Sequence, residues 1–417
     1  MERLVKGLTL SAIVSSVVMA GGYKIPEQSL NSMALGAAYV AHTTGADTAY
    51  FNPAGMSFMA DKQYIESGLT LAHLPSNIYS LGRFSGESEV ENILIPNLHY
   101  VANAIGDFRW GVSVVAPGGL TKRWKTPFQK ASAEEFTLKI VELNPSMSYR
   151  IMDNLSVGAG ARLVYSEGIV KSNGADLSVA IGNPRANIAR DMQGDTLEFG
   201  YNLALAYKPT SDINFAVTYR SKVKLGEEGT ARLSSGGQTV YKGDASVSVP
   251  LPAALNVALS KTWNDRFTLE LNYERTYWSA YKTLDFEYAG ANIGPLTPVF
   301  DTPIPRKWED TNTFRVGATI KMDNRLTAMM GFAIDETPVN IKHLGFELPD
   351  SDAKIFSMGF RYQQTTNLSW GAAFLYDSKE ALTITAGENT KINPSNFPAG
   401  FDEGGAFLTT VGMAYEF

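Results

Sequence analysis

From Leu197 to Arg220 the chain repeats with a period of two. Leu197, Phe199, Tyr201, Leu203, Leu205 and Tyr207 interleave with Glu198, Gly200, Asn202, Ala204, Ala206 and Lys208. After a turn at Pro209-Thr210-Ser211-Asp212, Ile213, Phe215, Val217 and Tyr219 interleave with Asn214, Ala216, Thr218 and Arg220. Successive side chains of a strand point to opposite faces, so one face is apolar and the other small, polar or charged. The pattern returns over residues 267–274 and 370–376.

A soluble sandwich alternates in the same way, with its apolar face in a core. Two features favour a membrane barrel instead. The strands run to about ten residues, the length of a tilted membrane crossing. Tyr or Trp recurs near strand ends, where an interfacial girdle needs them. Average hydropathy is close to neutral, as expected when lipid-facing and lumen-facing residues alternate. Past the leader, no run is long and apolar enough for a membrane helix.

The connections alternate too. Short turns fall at 103–107, 152–154, 209–212, 264–266, 323–324 and 363–367. Long connections are expected at 119–136, 173–194, 227–243, 281–309, 338–352 and 377–403. Short turns on one rim and long loops on the other are the habit of outer-membrane barrels. Adding the first and last strands gives about fourteen, an even number. The expected fold is an all-β transmembrane barrel of about 14 antiparallel strands, its lumen plugged by an N-terminal, partly helical hatch.

Three regions are expected. Residues 1–20 read as a signal peptide, with Arg3 and Lys6, an apolar stretch from Leu8, and Val18-Met19-Ala20 as the cleavage site. Residues 21–60 read as the hatch. Helical stretches are expected around 29–34 and 48–51, broken by Gly36, Gly45 and Pro53-Ala54-Gly55. Tyr39, Tyr50, Phe51, Met56 and Phe58 make this stretch too apolar for a disordered tail. Residues 61–417 read as the barrel. Its last strand ends with Tyr415 and Phe417 on one face. A terminal Phe with an aromatic two residues before it resembles the membrane-assembly signal of bacterial outer-membrane barrels, which implies the barrel-assembly machinery as a partner.

Several function classes fall away. The chain has 417 residues, a net charge of −6 and no cysteine. Thiolate catalysis, disulfides and Cys-ligated metal are excluded, and a nucleic-acid footprint is not expected. His42, His73, His99 and His343 are scattered, and there is no Gly-x-Ser-x-Gly elbow or phosphate loop. No enzyme, cofactor or metal site is expected.

Four segments carry a family likeness. They are Gly22-Tyr23-Lys24-Ile25-Pro26-Glu27-Gln28-Ser29, then Asn52-Pro53-Ala54-Gly55, then Pro96-Asn97-Leu98-His99-Tyr100 followed by Phe108-Arg109-Trp110-Gly111, and finally Phe332-Ala333-Ile334-Asp335-Glu336-Thr337-Pro338-Val339. In this order the chain resembles the long-chain fatty acid transporters of Gram-negative outer membranes, a family that includes aromatic-hydrocarbon channels. The resemblance implies capture of a hydrophobic molecule by surface loops, passage to an internal pocket, and sideways release into the membrane through a kinked third strand. It implies a fatty acid or aromatic hydrocarbon as substrate, outer-membrane lipid and lipopolysaccharide as surroundings, and a monomer. A hydrophilic porin and a surface adhesin are the competing classes.

Ala116, Pro117, Gly118 and Gly119 are the candidates for the lateral-gap kink, since Pro removes a ladder donor and Gly weakens pairing; an ordinary strand end is the alternative. Asn52, Pro53, Ala54 and Gly55 form the hatch motif, where Asn52 is expected to bond strand side chains, or simply a helix-ending turn. Tyr23 matches the family's N-terminal pocket aromatic. A carboxylate needs a cation in an apolar pocket; Lys171, Arg306 and Lys307 are the candidates, with Asp335 as partner to one, against the alternative of solvated rim charges. Trp124, Phe128, Phe136, Leu177, Val179 and Ile181 are apolar enough for a loop capture groove.

Overall fold

The computed structural model describes residues 21–290, 293–402 and 404–417. The expected signal peptide lies outside the described residues. Alternation of faces builds a ring of fourteen antiparallel wall strands. They are β1 (Tyr64–Leu74), β2 (Glu91–Val101), β3 (Phe108–Val115 and Gly119–Arg123), β4 (Glu135–Met152), β5 (Leu155–Asn173), β6 (Ile188–Thr210) and β7 (Ile213–Arg220 and Val223–Ser235). The ring continues with β8 (Gln238–Leu251 and Ala254–Trp263), β9 (Phe267–Thr276), β10 (Thr311–Lys321), β11 (Leu326–Asp335), β12 (Ala353–Gln363), β13 (Leu368–Lys379) and β14 (Gly405–Glu416). Strand β1 pairs with β2 on one side and with β14 on the other, from Tyr64↔Glu416 to His73↔Phe407, so the sheet closes. Closure leaves no free edge, which a lipid environment requires.

The two faces separate as the pattern requires. Leu69, Leu98, Met147, Phe199, Phe314, Met358 and Val411 are exposed on the outside. Glu66, His99, Asn144, Glu270, Arg315 and Arg361 point inward, the first five buried. At the short-turn rim, aromatic pairs gather on the outer face: Phe108 with Tyr149 (4.7 Å), Tyr100 with Trp110 (5.4 Å), Trp263 with Phe267 (5.5 Å) and Tyr362 with Trp370 (5.8 Å). Such rings suit the membrane–water boundary, being apolar in body with a polar tip.

The N-terminal residues lie inside the ring, since they bond to inward side chains from all round it. Ser146 of β4 donates to the Ala49 carbonyl, Ser156 of β5 to that of Ala54, Ser357 of β12 to that of Ala34, and Glu270 of β9 accepts from three successive amides. Helix α1 (Leu30–Ala34) starts at Ser29, whose hydroxyl accepts from the Ser32 amide while the Ser32 hydroxyl accepts from the Ser29 amide. It stops at Gly36, with φ of +56°. Helix α2 (Thr48–Phe51) leads into a 3-10 turn, Pro53–Phe58. Two wall glycines admit this backbone. A Cβ at Gly158 would lie 2.5 Å from the Ala54 nitrogen, and one at Gly331 would overlap the Leu35 backbone.

Five of the expected long connections carry strand: 119–136 begins with Gly119–Arg123, 281–309 holds Thr283–Leu284, Phe286–Tyr288 and Ile304–Pro305, 377–403 holds Leu382–Ile384 and Ala399–Phe401, and the other two extend the wall strands. Residues 227–243 form the tip of a β7–β8 hairpin that turns at Gly236-Gly237, both with positive φ. The alternation continues there, with Ala231, Leu233, Ala245, Val247 and Val249 buried, so the backbone keeps its ladder. Residues 173–194 contain a helix (Ala175–Ile181) and the start of β6 at Ile188.

Candidate substrate path

Strand β3 leaves the wall halfway up. It pairs with β2 only from Leu98↔Val114 to Val101↔Gly111. Beyond Val115 its continuation, Gly119–Arg123, pairs with β4 alone. Pro117 has no N–H to offer a neighbour. The N-terminal segment takes up the bonds that β2 does not. Gly119 N donates to the Tyr23 carbonyl (2.8 Å) and Ile25 N to that of Pro117 (2.9 Å). The Gln28 amide accepts from Ala116 N (2.9 Å) and donates to Ala116 O (2.8 Å). His99 of β2 donates from Nε2 to the Gln28 carbonyl (2.9 Å). At the top, Arg123 bridges to Glu91, with Nε 2.8 Å from Oε1. The opening between β2 and β3 is therefore bounded above and below, and backed by residues 23–28.

Tyr23 stands at the head of this segment. It is 2% exposed, and its hydroxyl donates to the Pro250 carbonyl. Its ring meets Trp278 edge-on at 4.8 Å and lies 5.7 Å from Trp308. Tyr281 and Trp308 complete the cluster at 4.9 Å. With Leu120, Phe136, Leu138 and Val249, the rings of Tyr23, Tyr281 and Trp308 line a narrow pocket. Arg306 lies on its wall, ion-paired to Glu347. Glu347 and His343 line it too, so the guanidinium meets its own counter-ion inside an otherwise aromatic and aliphatic pocket.

A second, larger cavity runs past Lys24, Ile25, Tyr50 and Phe51 to Pro117 on one side and Arg220, Leu251 and Pro252 on the other. Its polar lining is mainly cationic. Arg162 and Arg220 share the buried carboxylate of Glu142, with Arg162 Nε and Nη2 at 3.0 and 2.9 Å. Lys24 and Arg315 share Glu274. Arg220 Nη1 and Arg315 Nε have no hydrogen-bond partner among the described residues, so both retain capacity for an anion. The Arg220 guanidinium also stacks 4.2 Å from the Tyr50 ring centre.

The N-terminal segment carries ionisable groups in unusual states. Burial lowers the Lys24 ammonium and raises the Tyr23 phenol. Burial pushes the Glu27 carboxyl up to about 8, with Asp335 and Asp377 adding to the rise and Arg315 opposing it. Both Glu27 oxygens lack a hydrogen-bond partner among the described residues. Burial brings His42 down to about 4.

Of the residues expected at the site, Tyr23 and Arg306 meet in one cavity, and Pro117 lines the other. Lys171 sits apart, 2.8 Å from Glu135 and partly exposed. Lys307 is exposed, with φ of +48°. Asp335 is buried, but accepts from Thr313 and lies against Gly21, not Arg306. Asn52 does not reach a strand side chain: its Nδ2 donates to the Val40 carbonyl at 2.9 Å. The motif touches the wall through the Ala54 backbone on Gly158 and Ser156. Trp124 and Phe128 pack with Tyr79, Phe346 and Phe401 in a buried loop cluster, whereas Val179 is exposed. Tyr415 and Phe417 lie on the outer face, 4.9 Å apart. Trp278, Trp308, Arg162, Arg220 and Glu270 escaped the sequence reading. Inward parity marks Arg162, Arg220 and Glu270, but which of many inward groups converge depends on strand order round the ring.

Comparison with known proteins agrees with this architecture. Residues 11–417 match the family described as outer membrane protein transport protein (OMPP1/FadL/TodX). A long-chain fatty acid transport protein of Salmonella typhi is 25% identical, over 97% of this chain and 96% of its own. Outer membrane protein P1 of Haemophilus influenzae is 22% identical, over 90% of each. Among solved structures, a FadL homologue of Pseudomonas aeruginosa aligns with a TM-score of 0.75 at 18% identity, over 95% of this chain and 99% of that one. The toluene transporter TodX of Pseudomonas putida aligns at 0.70 and 18%, over 96% and 100%. At such identity the structures speak to the fold. The chain is a bacterial outer-membrane β-barrel and belongs to the outer membrane protein transport family.

Proposed function

We propose that this protein is a passive uptake channel for hydrophobic molecules, with long-chain fatty acids as its main substrate. In this reading residues 21–60 are a hatch. The apolar loops capture the substrate, and the cavity around Tyr23 and Arg306 receives it. It then moves past Lys24 to the larger cavity and leaves sideways between β2 and β3 at Ala116–Gly119. A wall exit spares an apolar tail the aqueous lumen. Tyr415 and Phe417 serve assembly into the membrane.

The observation that carries the reading is the substitution at the opening. Residues 23–28 bond to β3 where β2 does not, and within that segment Tyr23 lines one cavity while Lys24, Ile25 and Pro26 line the other. Any ligand that displaces Tyr23 or Lys24 therefore disturbs the seal. The unpartnered nitrogens of Arg220 and Arg315 favour a carboxylate over a bare aromatic hydrocarbon.

The test is uptake in cells that lack a fatty acid channel of their own. Expression of this protein is expected to restore oleate uptake, while purified protein in planar bilayers conducts ions only at background. Steady ion conductance without oleate uptake would identify a hydrophilic porin. Toluene uptake without oleate uptake would move the substrate to aromatic hydrocarbons.

A further inference from the structure

The wall has a second break, on β7. Strands β6 and β7 pair from Ile213↔Thr210 to Arg220↔Asn202, and again from Glu228↔Asp195 to Ser235↔Ile188. Between these ladders Thr196–Tyr201 of β6 faces residues 221–227 without pairing. Among the described residues the hydrogen bonds across this gap are those of Ser221 and Tyr201, Ser221 N to the Tyr201 carbonyl (2.9 Å) and Tyr201 N to Ser221 Oγ (2.8 Å). Side-chain parity reverses at the break. Val217 and Tyr219 share the outward side, yet Ser221, Val223 and Leu225 are buried and Lys222 and Lys224 are exposed. Strand β8, the hairpin partner, breaks opposite at Pro252. The upper hairpin thus bends into the barrel and leaves a slot in the hydrogen-bond ladder, filled by the packing of Val223 on Gly200.

The slot has an inside and an outside of matching character. The larger cavity reaches its inner edge, at Arg220 just before the break and at Leu251 and Pro252 across the hairpin, and extends to Pro117 at the β3 break. Outside it, Leu197, Phe199 and Tyr201 present apolar surface, Phe199 being 69% exposed. These three continue the outward apolar row of Leu203 and Tyr207, so the slot opens at the long-loop end of the lipid band. Val223 stops it: a Cβ at Gly200 would sit 2.8 Å from a Val223 methyl carbon and from Ser221 Oγ.

We propose that this slot between β6 and β7 is a second lateral exit from the same cavity. It rests on the transport reading above and deepens it. The tail of a carboxylate-bearing amphiphile passes between Val223 and Gly200 into the outer leaflet. Its head group is then met by Lys222 and Lys224, whose ammonium groups can reach the membrane boundary.

The chain has no cysteine, so a single engineered pair reports cleanly. In the Gly200→Cys/Val223→Cys variant a Cβ at position 200 lies 2.8 Å from the place of a Val223 methyl carbon, where the second sulfur would sit, and mass spectrometry confirms the disulfide before uptake is measured. Oxidation is expected to cut oleate uptake by about half, the share of one of two parallel exits, and reductant to restore it. Unchanged uptake with the disulfide formed overturns the proposal. A second measurement uses the unmodified protein with a diazirine-bearing fatty acid. Labelling of residues 196–201 or 221–227 is expected beside that of 116–122. Label confined to the β2–β3 opening overturns the second exit and leaves the transport reading standing. If the unmodified protein gives no oleate uptake above cells lacking it, the transport reading fails and the slot with it.

Discussion

Glu270 shows how one residue holds the interior. Its carboxylate accepts from the amides of Val40 (2.6 Å), Ala41 (2.9 Å) and His42 (2.8 Å). Hydrogen bonds to a charged group contribute about 1.5–3 kcal/mol each, and here three end on one side chain. Glu270→Ala is therefore expected to release residues 40–42 from β9 and admit water along the wall. Planar-bilayer recordings should show steady conductance in the variant and background in the parent. Equal conductance would mean that other bonds hold the segment unaided. The alternation of Phe267, Leu269 and Leu271 already places Glu270 on the inward face. It does not reveal the three amides, because they lie 228–230 residues away in the chain and no local pattern relates the two. The same limit explains Asn52. Its polarity suggested a wall contact, but the nearest acceptor is the Val40 carbonyl of its own segment.

At the scale of elements, the β3 break was legible and the β7 break was not. Ala116-Pro117-Gly118-Gly119 announces weak pairing by composition. Ser221-Lys222 carries no such signal; the nearest lies across the hairpin in Pro250 and Pro252 of β8, so the bend in β7 is set by its partner. Deleting Gly118 and Gly119 is expected to straighten β3 and remove the bonds to Tyr23 and Ile25. Oleate uptake should fall, with the remainder passing through the β6–β7 slot, provided heat-modifiable migration on gels shows an intact barrel. Undiminished uptake would count against exit at this kink. The sealing segment should also respond to pH. The buried Glu27 carboxyl is pushed up to about 8, above its ordinary 4.5. A carboxyl raised on docking favours the docked state fully below about 4.5, and that advantage is lost as pH rises toward 8. Proton–deuterium exchange at residues 23–30, corrected for its intrinsic pH dependence, should show protection falling between about pH 5 and pH 8, by up to roughly tenfold per pH unit, and levelling above. Glu27→Gln should flatten that dependence. A variant that keeps the slope would assign the titration to another group.

The whole molecule was legible because its solvent is written into every strand. Two-residue alternation, short turns on one rim and aromatic strand ends each follow from a ring in lipid, and together they give the strand number before any contact is known. Closure through Tyr64↔Glu416 joins the ends of that reading. The contents of the ring were not legible to the same depth, since the interior is polar, crowded and assembled from residues hundreds of positions apart. The lipid face therefore makes the sharper quantitative prediction. Met330 is exposed at the middle of β11, whereas Ile105 is exposed in the short turn after β2. If the outer apolar band meets hydrocarbon, Met330→Arg should cost about 2–4 kcal/mol and Ile105→Arg about 0–1 kcal/mol, because the penalty falls from midplane to interface. Guanidinium titration of the barrel folded into lipid vesicles measures both. Equal costs at the two positions would mean that Met330 does not lie near the bilayer centre. A larger cost at Ile105 would invert the proposed depth of the barrel, and with it the level at which the two proposed exits would meet the outer leaflet.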